Sequence, residues 1–575
     1  MKRLLVIFAV LVLLAVAATV AGILLSERPS GTGLGGPTVL VWRAQGQLPE
    51  RAQPDLFALP SGIQRPSLAS LYRGLRTGLD EPEVKGLAIY IQNAGFGFAK
   101  AEELRRQLAA YTAAGKFVEC YFETVGEGTN GSLAYFLASA CDHIHLAPIG
   151  SVNLLGLYSS APFFRGALDK LQIEPQFFTS GEYKSAGESY TRKDFSEPAK
   201  EALSALFDGW YDLLVQGIAA GRDLEPERVR QLIDGAPYAA QEAVDAGLID
   251  DLLYPDQFRD RIDQLAGGAA HLVRLQGYGQ SSGFGGGRRL AVVFAQGTIV
   301  RGTGGSDPWT DEVSIGSDDL SETLRDLRDD SSVPAVVLRI DSPGGSALAS
   351  DLILREVELL AAQKPVVVSM SDLAASGGYY IAAKATKIVA EPGTITGSIG
   401  VITGRFATSG LEENLLGVTR DGVARGAHAG LWNDPRPMDD ERAALVRKTM
   451  APIYDAFVHH VSEGRGMSVE EVDAVARGRV WLGRDAQRLG LVDELGGLDR
   501  AIALAREQAG IDPSEELRLA YYPAPRSWLE LFVEDRQPLL PASLRALAKR
   551  LKARAPGVLE LPPELAELPT TMESN

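Results

Sequence analysis

The sequence predicts an α/β protein made of one domain duplicated in tandem and preceded by a single transmembrane helix. Three observations carry this expectation. Four ordered segments of the first half recur in the second, short apolar strands alternate with longer amphipathic stretches in each half, and residues 4–25 form an uncharged apolar run behind Lys2 and Arg3.

At about 1.5 Å of rise per residue, that run is long enough as a helix to cross a hydrocarbon layer of roughly 30 Å. Flanking cations stay on the cytoplasmic side, so residues 1–29 are expected to be a signal anchor with the remaining chain translocated. Ala15-Val16-Ala17 has the small-x-small spacing of a cleavage site, and a removed signal peptide is the competing reading. The run continues past that site and exceeds the usual apolar core of a signal peptide, which favours the anchor. A glycine-rich stretch, residues 30–37, separates it from the first domain.

The repeat begins where Val84–Gly95 resembles residues 333–344: a β-rich run, a glycine turn, then a helical pattern. Residues 116–122 parallel 364–370, residues 135–138 with 144–148 parallel 379–382 with 388–392, and residues 242–250 answer 485–493. Strands alternating with amphipathic segments such as 350–362 and 498–508 indicate βα units around a largely parallel sheet. The first repeat is placed at 38–270 and the second at 289–515, joined by a linker at 271–288 that ends in Gly285-Gly286-Gly287. The tail, 516–575, carries Leu544, Leu547 and Leu551 on one helical face among Arg545, Lys549, Arg550, Lys552 and Arg554. Such a basic amphipathic helix suits an anionic membrane surface or packing on its own domain.

The formal net charge of -17 excludes a general nucleic-acid binder, which needs a basic face to displace counterions. Cys120 and Cys141 are the only cysteines; they can pair in an oxidising compartment, but two buried free thiols are expected. The six histidines lack zinc-binding spacings, so no metal site is expected.

Ser376 sits among small residues in Asp372-Leu373-Ala374-Ala375-Ser376-Gly377-Gly378, with no histidine nearby. A serine hydroxyl attacks a carbonyl only when a base takes its proton, and the sequence offers Lys184 in Gly181-Glu182-Tyr183-Lys184-Ser185-Ala186. Asp341-Ser342-Pro343-Gly344-Gly345-Ser346 follows an apolar strand and precedes a helix. Glycines there let backbone N–H groups approach an oxyanion, with the Gly377 N–H as a second donor. A glycine turn after a strand is also an ordinary structural feature.

These motifs, with TGSIGVI at 396–402 and SGEYKSAGESYTRKDFSEPAKE at 180–201, closely resemble the signal peptide peptidase A family in its long, double-domain form; the similarity runs over roughly residues 40–510. The resemblance implies a ClpP/crotonase-like fold in each repeat and a Ser/Lys dyad, with Ser376 as nucleophile and Lys184 as general base. It implies Gly377 with Gly345, or Gly344, as oxyanion donors, and Ser398 as a hydroxyl that orients the amine. No cofactor is implied. It further implies hydrolysis of remnant signal peptides and other apolar peptides, a homo-oligomer (a tetramer in the family), and an enzyme held by one span in the bacterial inner membrane with its domains outside the cytoplasm.

A useful lysine base is neutral at working pH, so it has to be buried, and Glu182 and Glu188 are expected to point away from it. Lys384, eight residues after Ser376, is the rival base by proximity and is expected to be exposed. Ser132 matches Ser376 in the first half but is followed by Leu133, and Arg425, near the counterpart of Lys184, is too strong a cation to serve as a base. Each half therefore lacks what the other keeps. The alternatives are a crotonase-like acyl-CoA enzyme, which the export signal disfavours, and a non-catalytic membrane scaffold.

Overall fold

A computed structural model describes residues 36–52, 66–279, 287–306 and 312–523. The expected span at 4–25 and the tail helix around Leu547 lie outside these residues. Among the described residues no helix is long and apolar enough to cross a membrane.

The two halves share one order of six parallel strands. The first sheet runs Asp251–Leu252, His143–Leu146, Phe117–Phe122, Val84–Gly95, Thr38–Gln47, His271–Arg274, all parallel. The second repeats this order in parallel strands, Glu494–Leu495, Lys387–Ala390, Val366–Ala375, Val336–Ser342, Arg288–Gln296, Leu517–Tyr522, and adds Ile395–Gly397 beside the end of Val366–Ala375 with Val480–Leu482 antiparallel to it. Its central strands open on Val336-Val337-Leu338 and Val366-Val367-Val368, all buried. Continuous apolar runs of this kind suit strands covered on both faces. The crossover helices bury one stripe: in Ser317–Asp329, Leu320, Leu324 and Leu327 face the core, while Asp318 and Asp319 favour the positive N-terminal end.

Polar clamps repeat as well. The Tyr135 hydroxyl donates to the Leu248 carbonyl and the Tyr379 hydroxyl to the Leu491 carbonyl. Arg222 pairs with Asp250 at 2.8 Å, and Arg465 with Asp493 at 2.7 Å. Duplication thus preserved the hydrogen bonds that satisfy buried groups, along with the pattern of apolar residues.

Three expectations are corrected. His271–Arg274, assigned to the linker, is an edge strand of the first sheet, and Leu517–Tyr522, assigned to the tail, is the matching edge strand of the second. Both pairings depend on a partner remote in sequence, which local composition does not show. Cys120 and Cys141 are joined in a disulfide, with Cα atoms 6.0 Å apart, rather than left as free thiols. Pairing of adjacent strands brings them together, since Cys120 lies on Phe117–Phe122 and Cys141 precedes His143–Leu146.

The halves are packed into each other. Glu174–Ser180 of the first pairs antiparallel with Val401–Ala407 of the second. Ala69 and Tyr72 join the apolar layer of Leu290, Val292 and Val337. The helix Phe98–Ala113 of the first half brings Glu103 to Arg339, which is fully buried and also reaches Glu50. With Ser369 and Ser371 as further acceptors, the guanidinium is extensively hydrogen-bonded where an unpaired one would be prohibitive.

Candidate active site

The strand Val366–Ala375 ends at Ser376, which adopts φ 55° and ψ -119° and then starts the short helix Gly377–Tyr380. A positive φ is costly for a residue with a Cβ. Here it is held by the Ser376 N–H donating to the Gly397 carbonyl and by the Tyr380 N–H donating to the Ser376 carbonyl. The turn leaves the hydroxyl free of the backbone.

Lys184 reaches that hydroxyl from the other half of the same chain. The shared ribbon sets Ser180 opposite Val401, so the segment after Ser180 runs beside Ser398. Lys184 Nζ lies 3.0 Å from Ser376 Oγ, 2.8 Å from Ser398 O and 2.8 Å from Ser398 Oγ. The residue is 7% exposed, and burial lowers its pKa from 10.5 to about 8. As expected, neighbouring carboxylates face elsewhere: Glu188 accepts from the Ser196 N–H and hydroxyl, and Glu182 lies 3.7 Å from Arg477.

Gly344 and Gly345 have distinct surroundings. The Gly344 N–H donates to Ser342 Oγ at 3.1 Å, and its carbonyl accepts from the Ile299 N–H. The Ser346 N–H donates to the Ile299 carbonyl, completing a bridge that leaves the Gly345 N–H uncommitted. Neither that amide nor the Gly377 N–H donates to another described residue. They are close, since a Cβ built on Gly377 would lie 3.2 Å from the Gly345 nitrogen. One built on Gly344, where φ is +95°, would come within 2.4 Å of the Gly377 nitrogen, so the approach requires glycine.

The structure thus brings together Ser376, Lys184, Ser398, Gly377 and the Gly344-Gly345 turn. It sets the rivals aside. Lys384 is mostly buried rather than exposed, but it pairs with Glu358 at 2.9 Å and Glu463 at 2.8 Å, which raises its pKa. Ser132 Oγ accepts from the Gly156 N–H, and Arg425 is exposed.

Sequence reasoning missed the loop at 477–479. The Arg477 carbonyl accepts from the Tyr183 N–H, the Arg479 carbonyl accepts from the Ser398 N–H, and the Gly478 N–H donates to the Ile399 carbonyl. A Cβ at Gly478, where φ is +83°, would lie 2.6 Å from the Lys184 nitrogen. This loop therefore holds both the lysine segment and Ser398. Its contacts are made by backbone, and the single legible hint was a glycine between two arginines.

An apolar cleft of about 290 Å³ opens between the halves, lined by Phe98, Leu157, Phe207 and Trp210 from the first and by Gly393 and Ile395 from the second. Ile395 begins the strand Ile395–Gly397, which pairs with Leu373–Ala375 just before Ser376.

A family model described as Peptidase family S49 matches residues 122–268 and 358–512, one segment in each half. The chain is 36% identical over 502 residues to the chloroplastic serine protease SPPA of Arabidopsis thaliana, covering 86% of this chain and 72% of that protein. It is 34% identical over 452 residues to Protease 4 of Haemophilus influenzae, covering 74% of this chain and 71% of that one. Against Protease 4 of Salmonella typhi the identity is 31% over 532 residues, with coverages of 87% and 83%. Among solved structures, a ClpP1 mutant from Listeria monocytogenes covers 37% of this chain at 16% identity and a TM-score of 0.24.

Proposed function

This chain belongs to peptidase family S49 and is a serine protease, and we propose that it cleaves apolar peptides, remnant signal peptides among them, with Ser376 as nucleophile and Lys184 as general base. The observation that carries the mechanism is the contact of a buried lysine amine with a serine hydroxyl at 3.0 Å, with no carboxylate among the described residues paired with it. A neutral amine has two N–H donors and one lone pair. With Ser398 O and Oγ accepting the two N–H groups, the lone pair is left for the Ser376 hydroxyl.

In this mechanism Ser376 Oγ bonds to the peptide carbonyl carbon as its proton passes to Lys184 Nζ. The negative oxygen of the tetrahedral intermediate accepts from the Gly345 and Gly377 N–H groups, which have no competing partner to give up. The C–N bond then breaks and the ammonium of Lys184 protonates the departing amine. Water, deprotonated by the same lysine, attacks the acyl ester and restores the Ser376 hydroxyl. The apolar cleft beside Ile395 suits an aliphatic or aromatic substrate side chain. Residues 1–29 would tether the enzyme to the cytoplasmic membrane with its domains on the outer side.

The test is a pH–rate profile on an apolar peptide ester. With the lysine titrating at about 8, kcat/KM is expected to rise about tenfold from pH 7 to pH 9, following the neutral fraction. A flat profile over that range would sink the lysine-base assignment.

A homo-oligomer belongs to the same reading, supported by the internal repeat. Glu103, on the helix Phe98–Ala113, is covered by the second half, where it accepts from Arg339 and the Leu498 N–H. The matching helix Ala347–Ala361 carries Leu348 and Leu352 at the places of Ala99 and Glu103, and they are 51% and 48% exposed. A second copy docking head to tail would cover them as the first half's helix is covered. Leu348→Glu with Leu352→Glu is expected to reduce the sedimenting species to a monomer; an unchanged mass would refute this arrangement.

A further inference from the structure

Lys100 is the other buried lysine that the first half sends toward the site, and the mechanism above does not use it. Its side chain, on the helix Phe98–Ala113, is 6% exposed. Its Nζ lies 2.8 Å from Asp341 Oδ2, 3.3 Å from Glu50 Oε1 and 3.7 Å from Asp372 Oδ2. Two of these carboxylates belong to the second half and stand on the strands entering the site. Asp341 immediately precedes Ser342-Pro343-Gly344-Gly345, and Asp372 lies four residues before Ser376. Asp372 also caps the lysine's own helix, accepting from the Gly97 N–H at 2.8 Å and the Lys100 N–H at 3.0 Å. A Cβ at Gly97 would lie 2.5 Å from Asp372 Oδ1, so glycine is what permits this approach.

We propose that Lys100 is a positioning residue for acyl transfer: by clamping Asp341 and Asp372 to one helix of the first half, it fixes the distance between the Gly344-Gly345 turn and Ser376. The inference rests on the Ser376/Lys184 reading and deepens it. A buried cation among carboxylates is a poor way to gain stability alone, because desolvation offsets much of the attraction. The repeat provides an internal comparison. At the position matching Lys100 the second half has Ala349, and at the position matching Asp341 the first half has Gln92, so the duplication holds no second copy of this ion pair and it is formed only at the Gly344-Gly345 turn. Other bonds of the turn, Gly297 N–H to the Asp341 carbonyl, the Ser342 hydroxyl to the Gly297 carbonyl and the bridge to Ile299, tie it to the segment 297–299 and not to the strand that carries Ser376. A displacement of about 1 Å at such donors is enough to lower a rate by roughly 100-fold.

The experiment compares full-length Lys100→Met and Asp341→Asn enzymes with the unaltered one, using a peptide ester and a peptide aldehyde whose adduct oxygen occupies the oxyanion position. The expected result is a kcat lower by about 100-fold with KM within about twofold. Aldehyde affinity should fall in parallel with kcat, and the pKa of the pH–rate profile should stay in place. Overturning results are a cooperatively melting variant within about threefold of the original kcat, a loss carried by KM, or a moved pKa. Should Lys100→Met fail to melt cooperatively, the near-isosteric Asp341→Asn carries the test. Failure of the dyad reading looks different, since Ser376→Ala or Lys184→Ala would then remain active whatever Lys100 does.

Discussion

Ser376→Ala is expected to lower hydrolysis of an apolar peptide ester by about 10⁴-fold or more, to the level that binding and oxyanion donors alone sustain, with its melting temperature essentially unchanged. The expectation of an intact fold has a specific basis. Alanine keeps the Cβ that serine already places at φ 55°, so the turn gains no strain and loses none of its backbone hydrogen bonds. Among the described residues the hydroxyl removed makes one side-chain hydrogen bond, to Lys184. Activity assays and thermal melts on the same preparation check both statements. Substantial remaining turnover would show that another group attacks the carbonyl.

Lys184→Met is expected to be as inactive as the serine variant, yet more stable than the original at neutral pH. Burial lowers the folded-state pKa from 10.5 to about 8, so the folded protein releases a proton that the unfolded chain keeps. Below pH 8 both states are protonated and the full penalty applies, about 3 kcal/mol from that shift. Between pH 8 and 10.5 stability rises as the folded lysine becomes neutral, and above 10.5 the penalty is gone. Methionine fills similar space without a charge, so its stabilisation, about 2–3 kcal/mol at pH 7, is expected to fade as pH approaches 10.5. Denaturant titrations of both proteins at several pH values check this. A Lys184→Met enzyme no more stable than the original at pH 7 would mean that the amine is not desolvated.

The residues that meet at the candidate site were more legible than the seams of the chain. Ser376 and Lys184 stand in motifs whose residue types announce a role, and the duplication was plain because apolar runs and glycine turns recur in order. The helix Leu498–Gln508 follows the periodicity residue for residue, while Ala347–Ala361 begins three residues before the expected start, where the Ser346 side chain caps it. The edge strands His271–Arg274 and Leu517–Tyr522 escaped notice because each is defined by a partner more than two hundred residues away. The different bonding of the Gly344 and Gly345 amides also lay beyond composition, because it depends on Ser342 and Ile299. Lys384 shows the limit of spacing as a guide, since its fate was decided by Glu358 and Glu463.

The antiparallel ribbon of Glu174–Ser180 with Val401–Ala407 also bears on the order of events in synthesis. Lys184 leaves the ribosome 192 residues ahead of Ser376 and then waits for Val401–Ala407, made later still, before it has a place to dock. A nascent chain, or one cut short before that ribbon forms, carries the proposed base without the serine it would serve. On the proposed mechanism, proteolytic competence therefore waits until residues 401–407 have been made, a timing set by the order of the two repeats.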